Sequence, residues 1–420
     1  MEAQRSTPLT SAAIESKLRD RLTSSPAVTL RLDIINKCNL RCVMCHYSDE
    51  TIARRKARSF TPEEFAAFFD DIAPMVQDIM LSCGDEPLMS KHFTSILQVI
   101  ASHPEPRDVG LCTNATLMNG KVRDAIIQYG VTYILLSMDG VTKGSLERIR
   151  VGANYERVVA NIMALRDLKK ATGTRYPRMV LDFVMMESNI HEAPTFVEMA
   201  KQLGIAMVDF RHAVPSFYWN DENEKLSNHA AKFNYYRERI LEQGKKHNVE
   251  IYIPDTFATE GTWLPASDIP QVDLHDFQRV EPDHASSHLP VPRSFPDTFV
   301  SGQGLDPSRE FFGASYCHRP FSEIMLRNQS EVLPCPWHQK VLGYLDENTS
   351  LKEIFFGEPF RVLRENMFKP QGDPNCQGCP VKADYLPTRS SGKGNVRRFL
   401  KTSRSLILRC FRKRRLGGFI

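Results

Sequence analysis

Between residues 28 and 212 the chain repeats one unit, a short run of β-branched and aliphatic residues followed by an amphipathic helical segment. The expected strands are residues 28–35, 79–83, 109–113, 132–138, 179–186 and 207–210. The expected helices are 62–73, 90–102, 119–129, 155–170 and 191–203. Thr61 with Glu64 three residues on is a capping-box signature, and Pro62 suits the first helical position. Six strands alternating with five helices require right-handed parallel crossovers, which allow either an open doubly wound sheet or a barrel. Periodicity alone does not separate the two.

The repeat stops near His212. Residues 213–315 read as an insertion or linker, with a helix near 222–245, a short strand near 249–253 and then an irregular stretch containing Pro and His. Order returns over 316–386, where a hairpin in FSEIMLRNQSEVLPC and a helix over 351–367 are framed by cysteines, as in a small metal-stapled domain. Residues 1–27 form an N-terminal extension, 28–212 the core and 387–420 a tail.

With 42% hydrophobic and 25% charged residues, the 420-residue chain has a globular composition, which excludes a disordered one. No apolar run approaches a membrane span, and the first thirty residues lack the apolar centre of a secretory signal, so the expected location is the cytoplasm. Charge is uneven. Residues 389–420 hold eleven Lys or Arg and no Asp or Glu, so the net charge of +4 leaves the remainder at −7. An acidic body argues against a nucleic-acid surface over the whole fold. The tail aligns Phe399, Leu406, Ile407 and Cys410 near one helical face among basic residues. That is the pattern of a helix lying peripherally on an anionic membrane or docking on an acidic partner.

Ten cysteines in a cytoplasmic chain point to metal rather than to disulfides. Cys38, Cys42 and Cys45 lie within eight residues on a loop after the first strand. Three thiolates so crowded can converge on one soft metal centre, and on a four-iron cluster they leave one iron open. The same spacing also suits a zinc loop or buried thiols. The second group is Cys317, Cys335, Cys376 and Cys379, enough for a complete cluster. With His318 and His338 adjoining, it equally suits a structural zinc site.

The Cys-x3-Cys-x2-Cys spacing of Cys38, Cys42 and Cys45 resembles the hallmark of the radical S-adenosylmethionine enzymes, and further motifs follow in order. Gly84-Asp-Glu86-Pro after the second strand resembles that family's Gly-Gly-Glu-Pro, which receives the methionine amino group, although Asp85 stands where the second Gly is usual. Thr113-Asn-Ala-Thr-Leu after the third strand resembles Thr-Asn-Gly-Thr-Leu, and Ser137-Met-Asp139-Gly after the fourth resembles the segment beside the ribose. Asn189 and Glu192 after the fifth correspond to polar residues near the cofactor. All sit at carboxyl ends of strands, the edge where parallel α/β folds place their sites.

The resemblance covers roughly residues 28–212 and implies an α/β fold, a partial (β/α)6 TIM-type barrel with a C-terminal iron–sulfur auxiliary domain. The layout of the second cysteine group resembles the SPASM domain and its shorter twitch relative. The implied cofactors are a catalytic [4Fe-4S] cluster on Cys38, Cys42 and Cys45, S-adenosylmethionine held by Gly84, Glu86, Ser137, Asp139 and Asn189, and a second [4Fe-4S] cluster on Cys317, Cys335, Cys376 and Cys379.

The implied reaction is reductive cleavage of S-adenosylmethionine to a 5′-deoxyadenosyl radical, which abstracts a substrate hydrogen. A fully ligated auxiliary cluster suits electron acceptance, hence oxidation of a small sugar-like or envelope-linked metabolite, with a reductase such as flavodoxin or ferredoxin as partner. Peptide maturation is the alternative, and the short segment before the first strand leaves no room for a leader-binding domain. A zinc and nucleic-acid binding protein is the alternative of another class, opposed by the acidic body. Cys83 and Cys112 end strands at the cofactor edge and suit a radical-proximal or a merely buried role. Arg148 and Arg150 suit either a contact to the cofactor carboxylate or a solvated charge run.

Overall fold

The six expected strands form as β1 (Val28–Leu32), β2 (Val76–Met80), β3 (Asp108–Thr113), β4 (Tyr133–Ser137), β5 (Arg178–Met185) and β6 (Met207–His212), each parallel to the next. Between them run the helices α1 (Pro62–Ile72), α2 (Phe93–Ser102), α3 (Gly120–Gln128), α4 (Lys143–Ile149), α5 (Tyr155–Thr172) and α6 (Ala193–Gln202). The computed structural model describes residues 27–379 apart from 214–218, 260–262, 264–271, 284–288, 295–316, 328, 339, 370–371 and 377–378. The N-terminal extension up to residue 26 and the basic tail lie outside the described residues. Among the described residues, no helix is long and apolar enough to cross a membrane.

Strand alternation sorts side chains onto two faces. Leu30, Ile79, Leu111, Ile134, Leu181 and Val208 face the helices and are fully buried in the main core. The opposite face gathers Met80, Tyr133, Leu135, Val180, Met207 and Tyr252 into a second, smaller cluster inside the barrel. The Tyr133 ring reaches across β3 there, and its hydroxyl donates to Asp78 Oδ1 at 2.8 Å. It passes over Gly110, where a Cβ would lie 2.1 Å from the ring Cζ, so any larger residue there must displace the ring.

The helix expected near 222–245 forms as α7 (Ala230–His247) and the strand expected near 249–253 as β7 (Glu250–Tyr252), which pairs parallel with β6, so residues 230–252 add a seventh unit to the sheet. Phe233, Tyr236 and Ile240 form the buried stripe of α7, which packs on α6. A strand of three residues is too short to show alternation.

The C-terminal segment also joins the same sheet. β8 (Glu323–Arg327) pairs parallel with β1, and β9 (Glu331–Leu333) and β10 (Gly343–Tyr344) follow antiparallel, giving the order β10-β9-β8-β1-β2-β3-β4-β5-β6-β7. The sheet is therefore open, with β10 and β7 at its edges. The single helix expected over 351–367 is two, α8 (Leu351–Phe356) and α9 (Glu358–Met367), because Gly357 is extended (ψ 171°) and Pro359 restarts the helix. Arg31 pairs with Glu323 at 2.8 Å, and Gln329 Nε2 donates to the Arg58 carbonyl at 2.9 Å, so the auxiliary segment is tied to the barrel.

Candidate active site

The cysteine loop leaves β1 and is fastened to the far side of the sheet edge. Arg41–Cys42 makes a two-residue antiparallel ladder with Arg150–Val151, and Val43 N donates to the Ile149 carbonyl at 2.9 Å. A second anchor comes from Asp85, the residue that departs from the family pattern. Its Oδ1 accepts from Tyr47 and, at 2.9 Å, from Arg55, binding the loop after Cys45 to the end of β2. Behind it the Asp33 carboxylate accepts from the backbone N–H groups of Cys83, Gly84 and Asp85 at 2.7, 3.0 and 3.1 Å. Burial and the nearby Asp85 charge push Asp33 up to about 6 against those three bonds.

Each of the three sulfurs meets a nitrogen. Leu40 N lies 3.4 Å and Asn114 Nδ2 3.9 Å from Cys38 Sγ, Arg150 Nη1 3.9 Å from Cys42 Sγ, and His46 Nδ1 3.8 Å from Cys45 Sγ. Neutral thiols need no such surround. Donors directed at three sulfurs suit anionic thiolate ligands, so this donor set fits an iron–sulfur cluster. Burial pushes the Cys38 thiol up to about 12 and the Cys42 thiol up to about 11, which means that ligation must displace protons. Burial acts the same way on Cys45, but His46 holds that thiol below its usual range.

The expected cofactor contacts divide. Gly84 is exposed beside His46, and a Cβ there would meet His46 Cε1 at 3.2 Å. Ser137 is half-buried on the inner face, its Oγ 3.4 Å from Cys112 Sγ. Glu86 is 3% exposed and accepts from Thr113 Oγ1 at 2.7 Å, Asn114 N at 2.8 Å and Leu88 N at 3.2 Å. Its carboxylate thus joins the second-strand and third-strand motifs, and burial pushes it up to about 7 in spite of these donors.

Asp139 and Asn189, read as cofactor contacts, are fully buried. Asp139 Oδ1 accepts from Val184 N at 2.8 Å and Oδ2 pairs with Arg150 at 2.7 Å, while Asn189 accepts from Met186 N at 2.7 Å and donates to the carbonyls of Val184 and Asp139. Both hold the strand ends and, through Arg150, the cysteine loop. Glu192 accepts from Val141 N at 2.6 Å and Thr142 N at 3.2 Å, fixing the start of α4.

Sequence reasoning singled out Ser137 but missed the inner row to which it belongs. Ser137, Asp182, Asp209 and Tyr252 are successive register partners across β4 to β7. Arg211 bridges the two carboxylates, 2.9 Å from Asp182 and 2.7 Å from Asp209. Burial pushes Asp209 up to about 6, with Arg211 opposing. Arg150, 3.9 Å from Cys42 Sγ, is raised by the charges of Asp139, Cys42, Asp182 and Cys112. The available signal was a charged residue at alternate positions in otherwise apolar strands.

In the second group burial pushes the Cys317 thiol up to about 12; Arg319 opposes, and Cys335 and Cys376 are near enough to add. Cys379 N lies 3.4 Å from the Cys376 carbonyl, on the same turn.

Residues 32–186 match the Radical SAM superfamily and residues 317–380 the SPASM iron–sulfur cluster-binding domain. The chain is 27% identical over 201 residues to a probable GTP 3′,8-cyclase of Methanocaldococcus jannaschii, covering 46% of this chain and 63% of that protein. It is 23% identical over 253 residues to the AdoMet-dependent heme synthase of Methanosarcina barkeri, covering 55% and 69%. The chain therefore spans less than two thirds of that cyclase's length. Among solved structures, Streptococcus suis SuiB bound to S-adenosylmethionine shares the fold with TM-score 0.55 and 13% identity, over 84% of this chain and 71% of that one. The protein anSMEcpe, solved with AdoMet and the Cp18Cys peptide, does so with TM-score 0.52 and 15% identity, over 85% and 87%. A three-cysteine loop surrounded by N–H donors at the carboxyl edge of a parallel barrel agrees with both matched domains, and the chain is a radical S-adenosylmethionine enzyme with a C-terminal SPASM-type iron–sulfur domain.

Proposed function

We propose that this enzyme oxidises a small polar metabolite, sugar-like or envelope-linked, by hydrogen abstraction inside the barrel. The observation that carries the reading is the inner row at the cysteine loop, where Ser137, Asp182 and Asp209 face the same space as Cys112 and Arg211. Such a lining matches hydroxyl and amine groups and leaves an aliphatic substrate with buried polar atoms unpaired. When loaded, the first cluster and S-adenosylmethionine supply the electron and the hydrogen-abstracting radical.

The remaining tasks fall to the chain. Arg211 has about a third of its side chain exposed (34%) and offers N–H groups to substrate oxygens while Asp182 and Asp209 fix its direction. Ser137 Oγ orients a neighbouring hydroxyl, and Asp209, with its carboxylate paired to Arg211 at 2.7 Å, accepts the proton released when an alcohol carbon is oxidised. When loaded, a cluster held by the cysteines of the SPASM domain would supply an acceptor for the remaining electron, and a flavodoxin- or ferredoxin-type reductase would be the source of the first. The basic tail of residues 389–420 is assigned to an anionic membrane surface or an acidic partner.

Peptide maturation is the second reading, favoured by the fold shared with SuiB, solved with its precursor peptide SuiA, and with peptide-bound anSMEcpe. Anaerobically reconstituted enzyme, S-adenosylmethionine and a reductant are to be incubated with deuterated polyols and aminosugars, and separately with deuterated peptides. Deuterium in 5′-deoxyadenosine from the polyol or aminosugar set is the expected result, and Cys38→Ala abolishes cleavage. Deuterium transfer from peptides alone would replace the first reading by the second.

A further inference from the structure

The guanidiniums at the inner row are already spent. Arg150 pairs with Asp139 Oδ2 at 2.7 Å and lies 3.9 Å from Cys42 Sγ. Arg211 gives both Nε and Nη2 to a single oxygen, Asp209 Oδ2, at 3.1 and 2.7 Å. Asp182 Oδ1 lies 2.9 Å from that same Nε, but the N–H is directed at Asp209, and Oδ1 is buried without a hydrogen bond. Asp182 is 7% exposed. It stands on the inner face, two residues after Val180 of the inner cluster, with Ser137 and Asp209 as its register partners on either side.

The charges therefore do not balance. Asp139, Asp182 and Asp209 are all buried and are served by Arg150 and Arg211 alone, which leaves one carboxylate in excess. Burial raises Asp209, Arg211 opposes, and the Asp182 charge adds to the rise, as befits two carboxylates sharing one cation. A buried carboxylate without a donor is costly, and an incoming cation removes that cost. The sulfonium of S-adenosylmethionine is not the missing charge, since three thiolates make the loaded first cluster anionic and that charge answers it. A substrate hydroxyl would give Asp182 a hydrogen bond and leave the excess charge in place, whereas an ammonium supplies both. We propose that the substrate carries a protonated amine and that the Asp182 carboxylate receives it, which makes Asp182 the specificity-determining residue of the site. The proposal rests on the oxidation of a small polar metabolite in the preceding section and narrows that class to amine-bearing members.

The test uses the full chain, reconstituted anaerobically, with S-adenosylmethionine, a reductant and deuterated sugars in pairs that differ by an amino group in place of one hydroxyl, such as glucosamine and glucose. Deuterium appearing in 5′-deoxyadenosine gives kcat/KM for each member. The amine is expected to be favoured about 10- to 100-fold, the worth of one charge-assisted hydrogen bond in a desolvated site. Asp182→Asn is expected to remove that preference, and Asp182→Glu, which keeps the charge, to retain part of it. Transfer from the hydroxyl member that equals or exceeds transfer from the amine, or a preference that survives Asp182→Asn, overturns the proposal and leaves the oxidation standing. So does a rise in the KM for S-adenosylmethionine that is the same with both members, because the carboxylate then serves the sulfonium. Transfer from neither member removes the oxidation and the proposal together. Should both Asp182 variants fail to fold, the preference of the parent chain between the two members decides alone.

Discussion

Arg150 Nη2 lies 2.7 Å from Asp139 Oδ2, and its Nη1 lies 3.9 Å from Cys42 Sγ. One guanidinium therefore serves a buried carboxylate and a cluster sulfur at once. Burial pushes Asp139 up to about 6 and Arg150 pulls it back, so the two charges depend on each other. Removing one partner of a buried pair leaves an uncompensated charge, typically at a cost of about 3–5 kcal/mol. Arg150→Met is expected to lose about that much stability in chemical denaturation and to bind less iron. Denaturation within about 1 kcal/mol of the parent would reject the arrangement.

Glu86 is an acceptor for three donors at once. Glu86→Gln turns an amide NH2 toward one of them. The expected loss is about 1–3 kcal/mol, together with slower iron uptake because Asn114 also faces Cys38. Unfolding curves and the rate of cluster reconstitution measure both effects. Unchanged values would mean that the two motifs are positioned independently.

Gly110→Ala places a methyl group in the Tyr133 ring. Displacing the ring also breaks its bond to Asp78. A loss of about 1–3 kcal/mol is expected in the parent and little in a Tyr133→Leu background. Equal losses in both backgrounds would reject the steric account.

His212 gives the clearest pH dependence. Burial against the Phe233 and Phe257 rings pushes its imidazole down to about 4. The unfolded chain then binds the extra proton between about 4 and the usual 6.5, so stability rises with pH across that window and is lost on acidification. The full effect is on the order of 3 kcal/mol. Buried carboxylates such as Asp209 act in the opposite sense, so the quantity to follow is the difference between the parent and His212→Phe. A difference that stays constant from pH 7 to about pH 4 would show that His212 does not titrate in this way.

Deleting residues 389–420 is expected to abolish co-sedimentation with anionic liposomes. Sedimentation that survives the deletion moves the contact elsewhere on the chain.

The parallel core was legible because strands of five to eight residues carry enough β-branched and aliphatic positions to stand out from the helices. β7 was legible as a short strand, but its three residues do not show that it joins the parallel sheet. The break at Gly357 was overlooked because apolar spacing continues through it from Leu351 to Met367. Among site residues the cysteines were legible by spacing. Asp139 and Asn189 were legible as special residues, while their bonds to the strand ends and to Arg150 join segments that sequence order does not bring together. Asp33, Arg211 and the pairing of Asp85 with Tyr47 and Arg55 depend on contacts between distant segments, which only the folded sheet brings together.

The placement of β8 against β1 bears on how the chain is made. β1 emerges first from the ribosome, and its far edge has no partner until the segment around Glu323–Leu326 exists. The bond from Gln329 to the Ile34 carbonyl spans 295 residues of sequence. Throughout translation, then, one side of the strand leading into the catalytic loop presents bare backbone groups, which invite pairing with any other extended chain. Aggregation of nascent chains truncated before residue 317 is the outcome expected from this sheet order. The metal loop completes its seat only when the SPASM-type domain has been synthesised.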